Sequence, residues 1–125
     1  MLKETITYTD YNGIERTEEF LFNLSEAELA EMEVSATGGY VEYVQRVVKA
    51  EDGKTLWGIL KEFVLKSYGV KSPDGRRFMK SDEIRASFEE TEAFSKLLMS
   101  MLKDSNKAAA FFNGVIPAHL AKKNN

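Results

Sequence analysis

His119 is the single histidine of this 125-residue chain and stands close behind Pro117 near the C-terminus. A general base needs an orienting partner and a rigid setting. A terminal segment supplies neither, so a solvent-facing imidazole is expected. Carboxylates gather as Glu15, Glu18 and Glu19, as Glu26, Glu28, Glu31 and Glu33, and as Glu89, Glu90 and Glu92. Paired carboxylates cleave glycosides or hold metal only where burial or cations separate their pKa values. These clusters fall on polar faces and first helical turns, where acids favour the positive end of the helix dipole. With 0 Cys there is no disulfide and no thiolate ligand, and no phosphate-binding glycine loop is visible. The residues predict no catalytic centre, no metal site and no cofactor; the chain does not read as an enzyme.

One basic cluster remains: Lys66, Lys71, Arg76, Arg77 and Lys80, with Tyr68 and Phe78 interleaved. Cations alternating with rings can contact phosphates and stack bases, so Tyr68, Arg76, Arg77 and Phe78 form a candidate contact loop. Asp74 lies inside it and acidic helices flank it. A nucleic-acid footprint is usually a basic face on a basic domain, whereas 17 Lys plus Arg here face 20 Asp plus Glu, a net charge of −3. A loop facing protein or solvent is the stronger expectation, and a small nucleic-acid binder the weaker one. A second set of candidates is apolar. Met99 falls off the stripe of its helix, and Met adapts to irregular partners. Phe111 and Phe112 are not expected both to point inward from a terminal helix. Phe112, Val115, Ile116 and Leu120 are therefore expected to form an exposed apolar patch for a partner.

The elements that position these residues follow from periodicity. The chain is 43% apolar, with 8 Phe, 5 Tyr and 1 Trp, enough to bury one core. No basic-then-apolar leader opens it, and no apolar run nears the roughly 20 residues of a membrane span; a cytosolic protein is expected. Residues 3–24 predict a β-hairpin: Ile6 and Tyr8 alternate with threonines, Asn12-Gly13 signals the turn, and Phe20 and Phe22 share one face of the return strand. An isolated hairpin is marginal in water, so this one must pack on helices or pair with another chain. Ser25 and Glu28 form a capping box for a first helix to about Val34, broken at 36–39. A second helix from Tyr40 carries Val41, Val44, Val47 and Val48 and ends near Asp52-Gly53. The third, from Lys54 to Tyr68, carries Leu56, Leu60, Phe63 and Val64 and is closed by Gly69. Ser72-Pro73-Asp74-Gly75 reads as a β-turn, followed by a short strand or link. Ser81 or Asp82 caps a fourth helix; Thr91 either continues it or caps a fifth. Phe94, Leu97, Leu98, Met101 and Leu102 mark that fifth at i, i+3, i+4, i+7, i+8. A last helix runs from Lys107 to about Asn113-Gly114. The predicted fold is α+β and mostly helical: an N-terminal β-hairpin (3–24) packed on a bundle of five or six short helices (25–116). It forms one domain over 1–116, with a mobile tail over 117–125.

The order and spacing of several of these segments resemble the tail assembly chaperones of long-tailed bacteriophages of Gram-positive bacteria. The matching segments are Thr5-Ile6-Thr7-Tyr8-Thr9-Asp10-Tyr11-Asn12-Gly13, Phe20-Leu21-Phe22-Asn23-Leu24, Thr37-Gly38-Gly39, Lys71-Ser72-Pro73-Asp74-Gly75 and Phe112-Asn113-Gly114-Val115-Ile116-Pro117. The resemblance spans nearly the whole chain. It implies a non-catalytic protein of the host cytoplasm, absent from the finished virion. Such a protein binds and solubilises the helical tape measure protein and helps recruit tail tube protein. It also implies a short form and a longer frameshifted form. With no tube-binding domain after residue 125, this sequence is expected to be the short one. Coating a long partner implies repeated copies, so self-association is expected, with the hairpin edge as one contact. A generic protein-interaction adaptor is the alternative that the residues leave open.

Overall fold

The computed structural model describes residues 1–35, 39–50 and 53–117. Two strands come first, β1 (Leu2–Thr9) and β2 (Glu15–Phe22), then helices α1 (Glu26–Ser35), α2 (Tyr40–Ala50) and α3 (Gly53–Ser67). Two short strands follow, β3 (Tyr68–Lys71) and β4 (Phe78–Met79), and then α4 (Asp82–Glu89), α5 (Glu92–Lys103) and α6 (Ser105–Val115). The expected α+β, mostly helical fold with an N-terminal hairpin is the observed one. It has more sheet than expected. β3 pairs with β2 and β4 with β3, giving a four-stranded antiparallel sheet in the order β1-β2-β3-β4.

The first hairpin turns differently from the two-residue Asn-Gly turn of the sequence reading. Asp10 N–H donates to Ile14 O and Gly13 N–H to Asp10 O, both at 2.9 Å. This leaves a three-residue loop closed by Gly13 at φ +80°, a form that suits the twist of the strands. Asp10 secures it: one carboxylate oxygen accepts from the backbones of Asn12 and Ile14, the other from Arg16. The Arg16 bond and these backbone bonds hold the Asp10 pKa below its ordinary value.

The predicted caps are present. Ser25 and Glu28 exchange backbone-to-side-chain bonds at 2.9 and 3.1 Å. Ser81 accepts from Ile84 N–H, and Thr91 accepts from Phe94 N–H, so α4 and α5 are separate helices. Two helix ends differ from expectation. α3 stops at Ser67 and the chain enters β3 directly, so Gly69 is a strand residue rather than a cap. A Cβ on Gly69 would lie 2.6 Å from Phe78 Cε2 and 2.9 Å from Met79 O; glycine is there because a ring crosses over it. α6 is capped by Asp104, whose carboxylate accepts from Asn106 N–H, and runs from Ser105 through Gly114 to Val115. At Gly114 a Cβ would stand 3.0 Å from Leu2 Cδ1, so the missing side chain lets the start of β1 approach the end of α6. The break at 36–38 and the second-helix end at Asp52 lie outside the described residues.

Helices cover one face of the sheet. Ile6, Tyr8 and Phe22 point into that layer and are buried, while Thr5, Thr7 and Thr9 face out. Aromatic rings carry the core through the molecule. Phe22 meets Phe88 and Phe111 edge-on at 5.7 and 5.1 Å, and Phe63 reaches Phe112 at 4.8 Å. Full burial of each such ring stabilises the fold by about 1.5–3 kcal/mol, and offset or edge contacts add to that.

Candidate partner-binding surfaces

The apolar end of α6 does not form the expected exposed patch. Phe111 and Phe112 are both buried, as are Val115 and Ile116. The expectation treated α6 as a terminal helix with one covered side, but α6 contacts α5, α2 and β1. Covered from several sides, adjacent residues can both face apolar neighbours: Phe111 packs on Phe22 and Phe63, and Phe112 on Phe63. Leu24 N–H donates to Val115 O, tying the end of α6 to the chain after β2. Leu120 and His119 lie outside the described residues.

Met99 is where the sequence placed it, on the outer face of α5 and 40% exposed. It does not stand alone. Tyr11, at the tip of the first hairpin, is 76% exposed. Both line a groove of about 460 Å³ between that hairpin and α5, together with Asp10, Glu92 and Lys96. The Tyr11 hydroxyl faces Glu92; partial desolvation, and then this carboxylate, push its pKa up. Sequence reasoning missed Tyr11 as a surface candidate because it reads as a loop residue beside the turn signal. Ile14, Val34, Trp57 and Val70 are also exposed, but none of them lines this groove.

The basic-aromatic loop is folded in on itself. Tyr68 stacks on Phe88 at 4.4 Å and 18°, and burial pushes its hydroxyl pKa up. Phe78 lies over Gly69, with Lys80 Nζ 5.6 Å from its ring centre. Neither ring is presented for stacking on a base. The turn beneath is held by side chains: Asp74 accepts from Ser72 Oγ at 2.7 Å and from Arg76 N–H at 3.0 Å, and Ser72 Oγ accepts from Arg77 N–H. Those bonds lower the Asp74 pKa, the Ser72 bond foremost. The Arg77 guanidinium donates to Met79 Sδ; Arg76 and Arg77 are exposed.

Lys80 has a structural post. Its ammonium donates to Asn23 O and to Glu28 Oε2, both at 2.8 Å. It thereby joins the second hairpin to the start of α1. At Glu28, burial raises the pKa, but the bonds from Lys80 and Ser25 outweigh it and the net shift is downward. Lys66 pairs with Glu62, so ion pairs occupy two of the five cations of this cluster, Lys66 and Lys80. Among the described residues no group of three or more His, Cys, Asp or Glu could hold a metal ion, and no helix is long and apolar enough to cross a membrane.

A family model described as phage tail assembly chaperone matches residues 1–125. This chain belongs to the phage tail assembly chaperone family. No curated protein and no solved structure matches it. The groove beside Met99 and Tyr11 and the β1 rim of the sheet are open surfaces of this tail assembly chaperone.

Proposed function

We propose that this chain is a non-catalytic chaperone of tail morphogenesis that binds the phage tape measure protein and keeps it soluble in the host cytoplasm. The observation that carries the proposal is the family match over the whole chain. Helping to recruit tail tube protein, and absence from the finished virion, belong to the same reading. The surface it assigns to the tape measure protein is the groove of Met99 and Tyr11. A flexible thioether and an amphipathic ring fit an irregular apolar helix face without costing the free protein much solubility.

The test is co-expression with the tape measure protein of the same phage. The partner is expected to move from the insoluble to the soluble fraction and to co-purify. In the double variant Met99→Ala, Tyr11→Ser, co-purification should fall severalfold while stability stays within about 0.5 kcal/mol. Equal solubility of the partner with and without the chain would end the chaperone reading. An undiminished yield with the double variant would end the groove assignment.

A further inference from the structure

Two of the cations that the sequence grouped in one basic cluster leave it in the fold. Arg76 and Arg77 stay exposed at the turn between β3 and β4. Lys66, near the end of α3, and Lys80, ahead of α4, instead line a cleft of about 360 Å³, where Arg85 of α4 joins them. The cleft opens between α1 on one side and α3 with α4 on the other. Leu24 and Met32 form its apolar part and are 3% and 9% exposed. It shares no lining residue with the groove of Met99 and Tyr11.

The three cations differ in how firmly they are held. Lys66 pairs with Glu62 and Arg85 with Asp82, whose side chains are 59% and 100% exposed. Ion pairs this open are worth little and can be exchanged for a competing carboxylate. Lys80 is the fixed one, its side chain only 14% exposed. An ammonium has three hydrogens to donate. Among the described residues two oxygens accept from this one, Asn23 O and Glu28 Oε2. Glu28 is neutralised by that contact, which leaves Glu31 as the exposed carboxylate of the α1 side. The cleft is therefore split. It is apolar at Leu24 and Met32, cationic along α3 and α4, and anionic at Glu31.

We propose that this cleft docks an acidic amphipathic segment of a protein partner, which sets its carboxylates on Lys66 and Arg85 and an apolar side chain on Leu24 and Met32. Charge complementarity decides the class. The carboxylates of such a segment take the places of Glu62 and Asp82, and a guanidinium such as that of Arg85 can hold one with two parallel bonds. Nucleic acid fits less well. Its phosphates would have to pass Glu31, and Leu24 and Met32 offer no ring on which a base could stack. Glu31 also sets the orientation, since the acids of the segment must keep to the α3 and α4 side. The docking does not rest on tape measure binding at the Met99 groove, so either can fail without the other.

The probe is a synthetic helical peptide of about 15 residues with leucine and glutamate repeating on one face. Its control keeps the leucines and carries lysine for glutamate; a thymidine oligonucleotide is the third ligand. Amide NMR shifts of the full chain are the measurement. The glutamate peptide should shift the amides of Met32, Lys66 and Arg85 and half-saturate below about 1 mM. Raising the salt from about 50 to about 300 mM should weaken it severalfold. In the double variant Lys66→Glu, Arg85→Glu its affinity should fall at least about tenfold, and the lysine peptide should bind instead. Glu31→Lys should tighten the glutamate peptide about threefold, a gain that a misfolded variant could not give. No shift up to about 1 mM in both the parent and Glu31→Lys overturns the proposal. So does equal binding of the lysine peptide to the parent, and so do shifts confined to the Met99 groove. Tighter binding of the oligonucleotide at the same amides would give the cleft to phosphate and overturn the protein partner.

Discussion

Met99 on α5 and Val115 with Ile116 at the end of α6 are apolar residues of the same general kind, late in the chain, that the sequence assigned to one partner surface. Met99 is 40% exposed, whereas Val115 is 1% and Ile116 4% exposed. The difference lies in what surrounds each helix. α5 covers its stripe against β1, α3, α4 and α6 and leaves Met99 on the remaining side. α6 meets α5, α2 and β1; its Val115 carbonyl accepts from Leu24 N–H, and Leu2 packs close to its Gly114. A helix near the C-terminus is thus as central as any other when the sheet and two helices close on it. Place in the chain says little about place in the layers.

The largest effect that would sharpen this contrast is a carboxylate at each position. Ile116→Asp should destabilise by about 4 kcal/mol, since it removes buried apolar contact and strands a charge. Met99→Asp should change stability by no more than about 0.5 kcal/mol. Urea denaturation of the two variants is the check. If Ile116→Asp unfolds at the parent's midpoint, the end of α6 is not core and the contrast collapses.

A second region is the β3-β4 hairpin, which the sequence offered as a contact loop and whose turn is exposed while its Tyr68 and Phe78 rings pack inward. Gly69→Ala should cost about 2 kcal/mol, because the new methyl has to displace the Phe78 ring or the Met79 carbonyl. Most of that cost should vanish in a Phe78→Ala background, where the ring is gone. Equal costs in both backgrounds, measured as a double-mutant cycle, would mean that Phe78 does not cover Gly69.

The smallest effect concerns Lys80, whose side chain is 14% exposed where it meets Glu28. Lys80→Met should cost about 1.5 kcal/mol at neutral pH, since Asn23 O and Glu28 lose a charged donor. The Glu28 pKa is lowered in the folded state, so the unfolded chain takes up the proton first as pH falls. The contribution of Glu28 is complete above the ordinary carboxylate range and is lost from about pH 5 downward. Asp10 and Asp74, also lowered, add to the acid sensitivity with the same sign. The gap between the parent and Lys80→Met should therefore narrow between neutral pH and about pH 3. A gap independent of pH would show that the pair with Glu28 carries none of it.

Local signals were the legible ones. The capping residues Ser25, Ser81 and Thr91 announce helix starts because a side-chain oxygen three residues ahead of an amide needs nothing from the rest of the fold. The valines of α2 and the stripe of α5 fall on buried faces as their spacing demands. Less legible was the second hairpin. Tyr68–Lys71 and Phe78–Met79 are too short for an alternating pattern to register, and Gly69 reads as a helix cap. The pairing partner that makes β3 a strand, Leu21 with Phe22, lies far away in the sequence. Tyr11 was missed for the related reason that its importance comes from α5, not from its neighbours in the chain.

By itself the sequence determined the mostly helical class with its N-terminal hairpin, several helix caps and most of the buried faces, and it excluded thiol chemistry. Those properties depend on contacts within one turn or one stripe. It also carried the family, through motifs whose order survives without knowledge of the packing. The tertiary structure decided which apolar residues remain available to a partner. Burial is settled by what lies across the gap: Gly114 admits Leu2, Gly69 admits Phe78, and the rings of Phe22 and Phe63 fill the space that Phe111 and Phe112 face. It also decided which strand is left at the rim, because β1 has β2 on one side and Lys96 of α5 reaching toward the other.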